Sequence, residues 1–268
     1  MQIRNSFIVA MLICFLGISN FAWGKILILN GLTHEHQALQ GEVRKGTIEL
    51  KNISEKEQSV QIYQKDFWYS YTGESKHDAP GTMERSNANW LSINPQFVTL
   101  QPNETSLIEY QLTIPDNDSL IGTYWSVIMV EGITPPDTST VKTGIKINTV
   151  VRYAVQIIAN IGDTGKRNMQ FINLNLSRQD SITTLQVAFK NTGERILRPE
   201  MGIEVFDSNG ESQGVFKADR RKIYPGTSAI VELNLSSLPV GKYSGVLIAD
   251  CSEDYAFGTN VNLEIKNE

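Results

Sequence analysis

His34 and His36 flank Glu35, a spacing that puts both imidazoles on one side of the chain if the segment is a strand. Two imidazoles are too few for a closed zinc site without a carboxylate or another ligand. The third histidine, His77, stands in a polar stretch, so no metal site is expected. Gly-x-Ser-x-Gly, His-Glu-x-x-His and Gly-rich phosphate-loop patterns do not occur. Cys251 has no histidine near it in sequence and reads as a small buried hydrophobe in a strand. Carboxylates are scattered, and no facing pair suited to carbohydrate hydrolysis can be named. The expectation is a chain that is not an enzyme and needs no cofactor.

Three other stretches carry candidate binding chemistry. Phe67-Trp68-Tyr69-Ser70-Tyr71 offers Trp68, Tyr69 and Tyr71 as an aromatic surface for a sugar or peptide. The alternative is that these rings fill a core on one side and shield a flank on the other. Lys217-Ala218-Asp219-Arg220-Arg221-Lys222 is a basic cluster that reads as a solvated face. From Gly144 to Ile161, Ile145, Ile147, Val151, Tyr153, Val155 and Ile157 share one parity, with Lys146, Asn148, Arg152 and Gln156 on the other. This predicts a strand much longer than the usual five or six residues or so. A long apolar edge invites aggregation unless it is covered, and a partner's strand could cover it by β-augmentation. The same pattern also fits a last strand that is fully paired within its own sandwich.

The elements that must position these residues are strands. Thr47–Lys51, Ser59–Tyr63, Leu107–Leu112, Leu185–Phe189, Ile203–Phe206 and Val231–Leu235 alternate with period two or nearly so. Turn chemistry separates them: Pro102-Asn103, Asn191-Thr192-Gly193, Ser208-Asn209-Gly210 and Pro225-Gly226. The pattern also repeats. Ile48–Glu55 is echoed by Val187–Glu194, the Pro102 turn by the Pro225 turn, and Gly122-x-Tyr124 by Gly241-x-Tyr243. In each Gly-x-Tyr the hydroxyl is expected to bond a backbone carbonyl and pin a corner. The predicted fold is all-β, with two tandem immunoglobulin-like sandwiches after a signal peptide. The divisions are 1–24, 25–162 and 163–268.

Composition bounds the partners. Of 268 residues, 41% are hydrophobic and 20% charged, with a net charge of −5, so nothing draws the chain to nucleic acid. Arg4, the apolar run Phe7–Ile18, and Ala22 and Gly24 around Trp23 read as a secretory leader cut after Gly24. Cys14 would leave with it, making Cys251 the lone thiol. No later run is long and apolar enough to span a bilayer, so no stable membrane insertion is expected after cleavage. The expected location is the periplasm, with the cell surface or exterior also open.

The strand ending Lys51-Asn52, the Pro102–Pro115 segment, Gly122-x-Tyr124 and Val151-Arg152-Tyr153-Ala154-Val155 together resemble the PapD-like periplasmic pilus chaperones over nearly the whole mature chain. That resemblance implies a protein client, a fibre subunit held by strand complementation. It implies that Arg152 binds the client's terminal carboxylate and that Ile145, Ile147 and Val151 contribute to the docking strand. The family's second anchor is an arginine on the first strand, and Leu32–Gln40 contains neither Arg nor Lys. The alternative function is a structural or adhesive envelope module without a client.

Overall fold

The computed structural model describes residues 26–133, 150–251 and 255–266. Residues 26–161 supply β1 (Ile26–Ile28), β2 (Thr33–Ala38), β3 (Val43–Asn52), β4 (Gln58–Lys65), β5 (Trp68–Tyr69), β6 (Ser75–Lys76), β7 (Leu91–Asn94), β8 (Phe97–Leu100), β9 (Thr105–Thr113), β10 (Gly122–Ile133) and β11 (Arg152–Ile161). Residues 169–265 supply β12 (Met169–Gln179), β13 (Ile182–Asn191), β14 (Glu200–Phe206), β15 (Ser212–Lys217), β16 (Ser228–Asn234), β17 (Gly241–Asp250) and β18 (Ala256–Ile265).

Period-two alternation is what makes each half a sandwich. On β3 the inward residues are Ile48 and Leu50, on β9 Ile108, Tyr110 and Leu112, and on β11 Val155, Ile157, Ala159 and Ile161. Sheet β1-β3-β9-β7 closes over sheet β2-β11-β10-β4-β8 to bury them. In the second half, sheet β12-β13-β16 closes over β15-β14-β17-β18 around Val187, Phe189, Ile203, Val205, Leu233 and Leu247. The pairings β3 with β9 and β4-β10-β11 recur as β13 with β16 and β14-β17-β18, which is the immunoglobulin-like pattern expected from the repeat.

The repeated asparagines have a shared task. Asn52 is fully buried, and its Nδ2 donates to the carbonyls of Lys56 (2.8 Å), Leu100 (3.1 Å) and Gln101 (3.1 Å). Asn191, also fully buried, donates to the carbonyls of Arg195 (2.7 Å) and Ile223 (3.1 Å). Each Oδ1 accepts the amide two residues on, from Ser54 and Gly193 respectively. Each asparagine thus satisfies loop carbonyls buried where its strand ends. The two Gly-x-Tyr corners diverge. Tyr243 donates to the Pro239 carbonyl at 2.9 Å, as the corner motif requires. Tyr124 instead packs its ring on Trp90, 4.8 Å between centroids, with the Arg85 guanidinium 5.5 Å from it.

The long strand expected over Gly144–Ile161 begins, among the described residues, at Arg152, and Val150 and Val151 precede it outside the ladder. Ile145 and Ile147 lie outside the described residues, as do the expected leader and Cys14.

Removing Asn52 would strand the carbonyls of Lys56, Leu100 and Gln101. Asn52→Ala should lower its unfolding free energy by about 1–3 kcal/mol. Urea denaturation followed by tryptophan fluorescence measures this, because Trp68, Trp90 and Trp125 all lie in that half. An unchanged midpoint would show that the loop carbonyls find other donors.

Candidate functional site: the junction between the sandwiches

β10 and β11 are buried almost continuously, from Gly122 to Val130 except Tyr124 and from Ile157 to Ile161. Alternation cannot explain that; a strand reads this way when both faces of its sheet are covered. The inner face meets the first core. The outer face meets the second sandwich, where Trp125 and Ile158 pack with Ile196 and Tyr224, flanked by Phe67, Tyr69 and Met83. Trp125 stacks on Tyr224 with ring centroids 4.7 Å apart and planes 9° from parallel. The Trp125 indole N–H donates to the Phe67 carbonyl at 2.6 Å.

The polar stretch after the aromatic run is folded onto this seam by one carboxylate. Asp66, fully buried, accepts from the amides of Gly81 (3.0 Å) and Met83 (2.8 Å) and from the hydroxyls of Thr82 and Ser86. The loop so held delivers Asn87, which donates to the carbonyls of Ile157 (3.1 Å) and Tyr124 (3.3 Å) and accepts from Ser126. It also delivers Arg85, which donates to the Ile121 carbonyl at 2.8 Å and lies 3.6 Å from Glu194 of the second sandwich. Across the seam, the Thr123 amide donates to the Glu194 carbonyl at 2.8 Å, and Arg195 donates to the carbonyls of Gly162 and Thr164, both at 2.9 Å. At Gly122 (φ 74°) the chains approach so closely that a Cβ would sit 2.1 Å from the Glu194 carbonyl oxygen.

Beside the seam opens a cleft of about 460 Å3, lined in part by Tyr69, Tyr71, Gln156, Arg220, Arg221 and Lys222. Among the described residues no Asp or Glu lines it, although the chain as a whole is acidic. The Lys222 ammonium donates to the Gln156 side-chain carbonyl (2.7 Å) and the Thr33 hydroxyl (3.0 Å), both uncharged, and lies 5.7 Å from the Tyr224 ring. Burial, reinforced by the charge of Arg198 and opposed by Glu35, pulls its amine down to about 8. Tyr69 fixes the Lys222 backbone by donating to its carbonyl.

The residues singled out in the sequence are distributed around this junction. Arg152 stands at the start of β11 with its side chain 60% exposed, and its Nε is 2.9 Å from the Glu131 carboxylate across the ladder. Glu131 also accepts from the Tyr63 hydroxyl at 2.6 Å, and these partners hold its carboxyl below the ordinary range. Val151 is exposed beside Arg152. The aromatic run divides by parity. Tyr69 enters the seam and Tyr71 lines the cleft, whereas Trp68 sits apart under the Lys76 ammonium, 5.0 Å from its ring. The basic cluster is not uniformly a solvated face. Lys217 pairs with Glu200 at 2.7 Å, while Arg221 and Lys222 turn into the cleft. His34 and His36 do share one side of β2, both directed at Tyr110. Among the described residues no group of three or more His, Cys, Asp and Glu is placed to hold a metal ion.

Lys222 and Gln156 were missed because nothing local marks them. The sequence shows that the first strand lacks a cation, but a lysine far along the chain reaches Thr33 only through the docking of the two sandwiches. The one available signal was a run from 217 to 222 with a single acid in it.

No family model matches the chain, and no curated protein matches it. Solved structures do resemble it. The class 5 fimbriae chaperone CfaA is 16% identical, covering 91% of this chain and 100% of its own, with a TM-score of 0.47. The YadV chaperone is 14% identical, covering 89% and 100%, with a TM-score of 0.44. The Pseudomonas aeruginosa CupB2 chaperone is 11% identical, covering 90% and 100%, with a TM-score of 0.43.

Proposed function

We propose that the chain holds an extended segment of another exported protein, a secreted or surface-fibre subunit, by β-strand addition to β11, as a periplasmic assembly chaperone does. The supporting observation is that β2 leaves the first part of that strand uncovered. Their parallel ladder begins at Thr33 opposite Gln156, with the Gln156 amide donating to the Leu32 carbonyl at 2.9 Å. From Arg152 to Val155 the outer edge of β11 faces no strand among the described residues. Because the Gln156 amide points toward β2, alternation turns the amides of Arg152 and Ala154 the same way, outward.

Leu32, Val150 and Val151 are exposed apolar side chains around that edge. Client contacts there would add roughly 1.5–3 kcal/mol per fully buried side chain to the main-chain bonds. Ile145 and Ile147 enter the proposal on sequence parity alone. At the junction end, Lys222 and Arg221 are the groups suited to a client's terminal carboxylate, because no acid lines the cleft among the described residues. Arg152, exposed and already paired with Glu131, contributes steering at the other end of the edge. The reading takes the chain as two units divided near residue 162, with the cleft between them. A purely adhesive module built on the aromatic run is less well supported, since Tyr69 is committed to the seam and separated from Trp68.

The test is capture of the chain lacking residues 1–24 from its native envelope, identification of any stoichiometric partner, and isotherms with that partner purified. Lys222→Met should weaken binding about 10-fold or more, the loss of a hydrogen bond to a charged group. Arg152→Ala should cost only about threefold, as expected of an exposed charge. Normal thermal unfolding of both variants would show that the site and not the fold was altered. Absence of a stoichiometric partner, or equal affinity in wild type and Lys222→Met, would overturn the respective parts of the reading.

Affinity should also depend on pH in a definite direction. Lys222 is charged below about 8, so its contribution to anion binding is present below that pH and lost above it. The wild-type isotherm should weaken as pH rises through this window, and Lys222→Arg should flatten the dependence.

A further inference from the structure

The first strand changes sheets. β1 pairs with β3 in one sheet, the chain turns at Gly31 (φ 87°), and β2 joins β11 in the other. Two side chains of the facing sheet tie β2 back across the sandwich: Arg44 of β3, which donates to the Gln37 carbonyl at 2.8 Å, and a phenol. Tyr110 of β9, 2% exposed, places its hydroxyl 3.0 Å from His34 Nδ1 and 2.8 Å from His36 Nε2. The hydroxyl lies over Gly46 of β3, where a Cβ would come within 2.2 Å of it, so the position is built into both strands.

A phenol has one proton to donate and lone pairs to accept with. With neutral imidazoles, one ring accepts the Tyr110 proton and the other donates its N–H to the phenol oxygen. With both rings protonated the phenol oxygen can accept from each, but its own O–H has no acceptor left among the three groups and two positive charges share one oxygen. His34 Nε2 is buried without a hydrogen-bond partner. The surroundings compensate only in part: the Asn30 and Gly31 backbone favours a protonated His34 and the Glu35 charge a protonated His36, but burial outweighs both. From β3 comes the Arg44 guanidinium, whose carboxylate partner is Glu42. On β2 itself, Glu35 is engaged by Arg198 and by the Asn160 amide. From β11 the residues paired beside the two rings are Ile157 and Ala159. Burial lowers both imidazoles below 6.5, and the charges of His34 and Arg44 lower His36 further. The clasp therefore contributes in full above about pH 6.5 and is lost as the pH falls below it.

We propose that His34, Tyr110 and His36 form a proton-released clasp that sets how far β2 covers β11, so that mild acid lengthens the edge offered to a partner strand. This rests on the reading of β11 as the docking strand. Release would uncover the ladder from Gln156 onward and extend the free stretch of Arg152–Val155 toward the junction. The bonds from Glu35 to Arg198 and from Thr33 to Lys222 hold the opposite face of β2, so the opening is local.

Residue-resolved amide exchange on the free protein, corrected for intrinsic rates, tests this at about pH 7.5 and about pH 5.5. Amides of β2 and of Gln156 should exchange at least about 10-fold faster in acid, corresponding to a loss of about 1.4 kcal/mol of local protection. The double variant His34→Gln/His36→Gln should show no such acceleration, and Tyr110→Phe should loosen β2 already at the higher pH. If the double variant fails to fold, His36→Gln alone should reduce the effect. Equal protection at both pH values, or acceleration spread over β3 and β9 as well, would overturn the clasp. The measurement needs no partner, so its failure leaves the docking reading standing, and failure to find a partner leaves the clasp standing.

Discussion

The double coverage of the sheet containing β10 and β11 is the constraint on which the rest of the molecule depends. Its inner face closes the first core and its outer face receives the second sandwich through Trp125, Ile158 and Tyr224. A sheet buried on both sides can leave few backbone groups to solvent, so the seam must be satisfied by named donors and acceptors. Asn87, Arg85, Arg195 and Thr123 fill that role, and Asp66 folds the loop that brings two of them there. The relation between the two sandwiches is thus held by aromatic stacking and by hydrogen bonds to main-chain groups, which favour one geometry over many.

That geometry concentrates charge. An acidic chain would ordinarily surround lysines and arginines with carboxylates, and on its outer surface this one does, as Lys217 with Glu200 and Arg44 with Glu42 illustrate. The cleft beside the seam departs from this: Arg221 and Lys222 line it with aromatic rings and uncharged polar groups, while Arg220 at its edge lies 3.8 Å from Glu200. Half-burying an ammonium against neutral partners has a cost, visible in the lowered Lys222 amine, and an anionic ligand would offset it. The same logic applies in reverse at His34 and His36, where burial favours the neutral form and makes β2 sensitive to protons rather than to anions.

Much of the fold was legible because its signals are local. Alternation at Ile48-Leu50 and Val187-Phe189 names a strand and its inward face, and the repeated Asn-turn pattern marks a strand end whose carbonyls need a donor. Tyr243 follows the corner motif because Pro239 lies four residues away in the same turn. Tyr124 carries the same motif but is captured by Trp90 and Arg85, partners supplied by the loop that Asp66 organises. The shared side of His34 and His36 also followed from spacing alone. Their target did not, because Tyr110 belongs to the facing sheet and reaches them only where Gly46 leaves room.

The sequence by itself determined the β class, the two-fold repetition, the inward faces of the strands, and the absence of any recognisable catalytic spacing, because each rests on periods of a few residues. Tertiary structure decided which charges meet. Arg152 finds Glu131 only through the register of β10 with β11, and Lys222 finds Thr33 and Gln156 only when one sandwich docks on the other. The physical reason is range: period-two patterning is set by neighbours along the chain, whereas the energy of an ion or a hydrogen bond depends on distances and burial that only packing establishes.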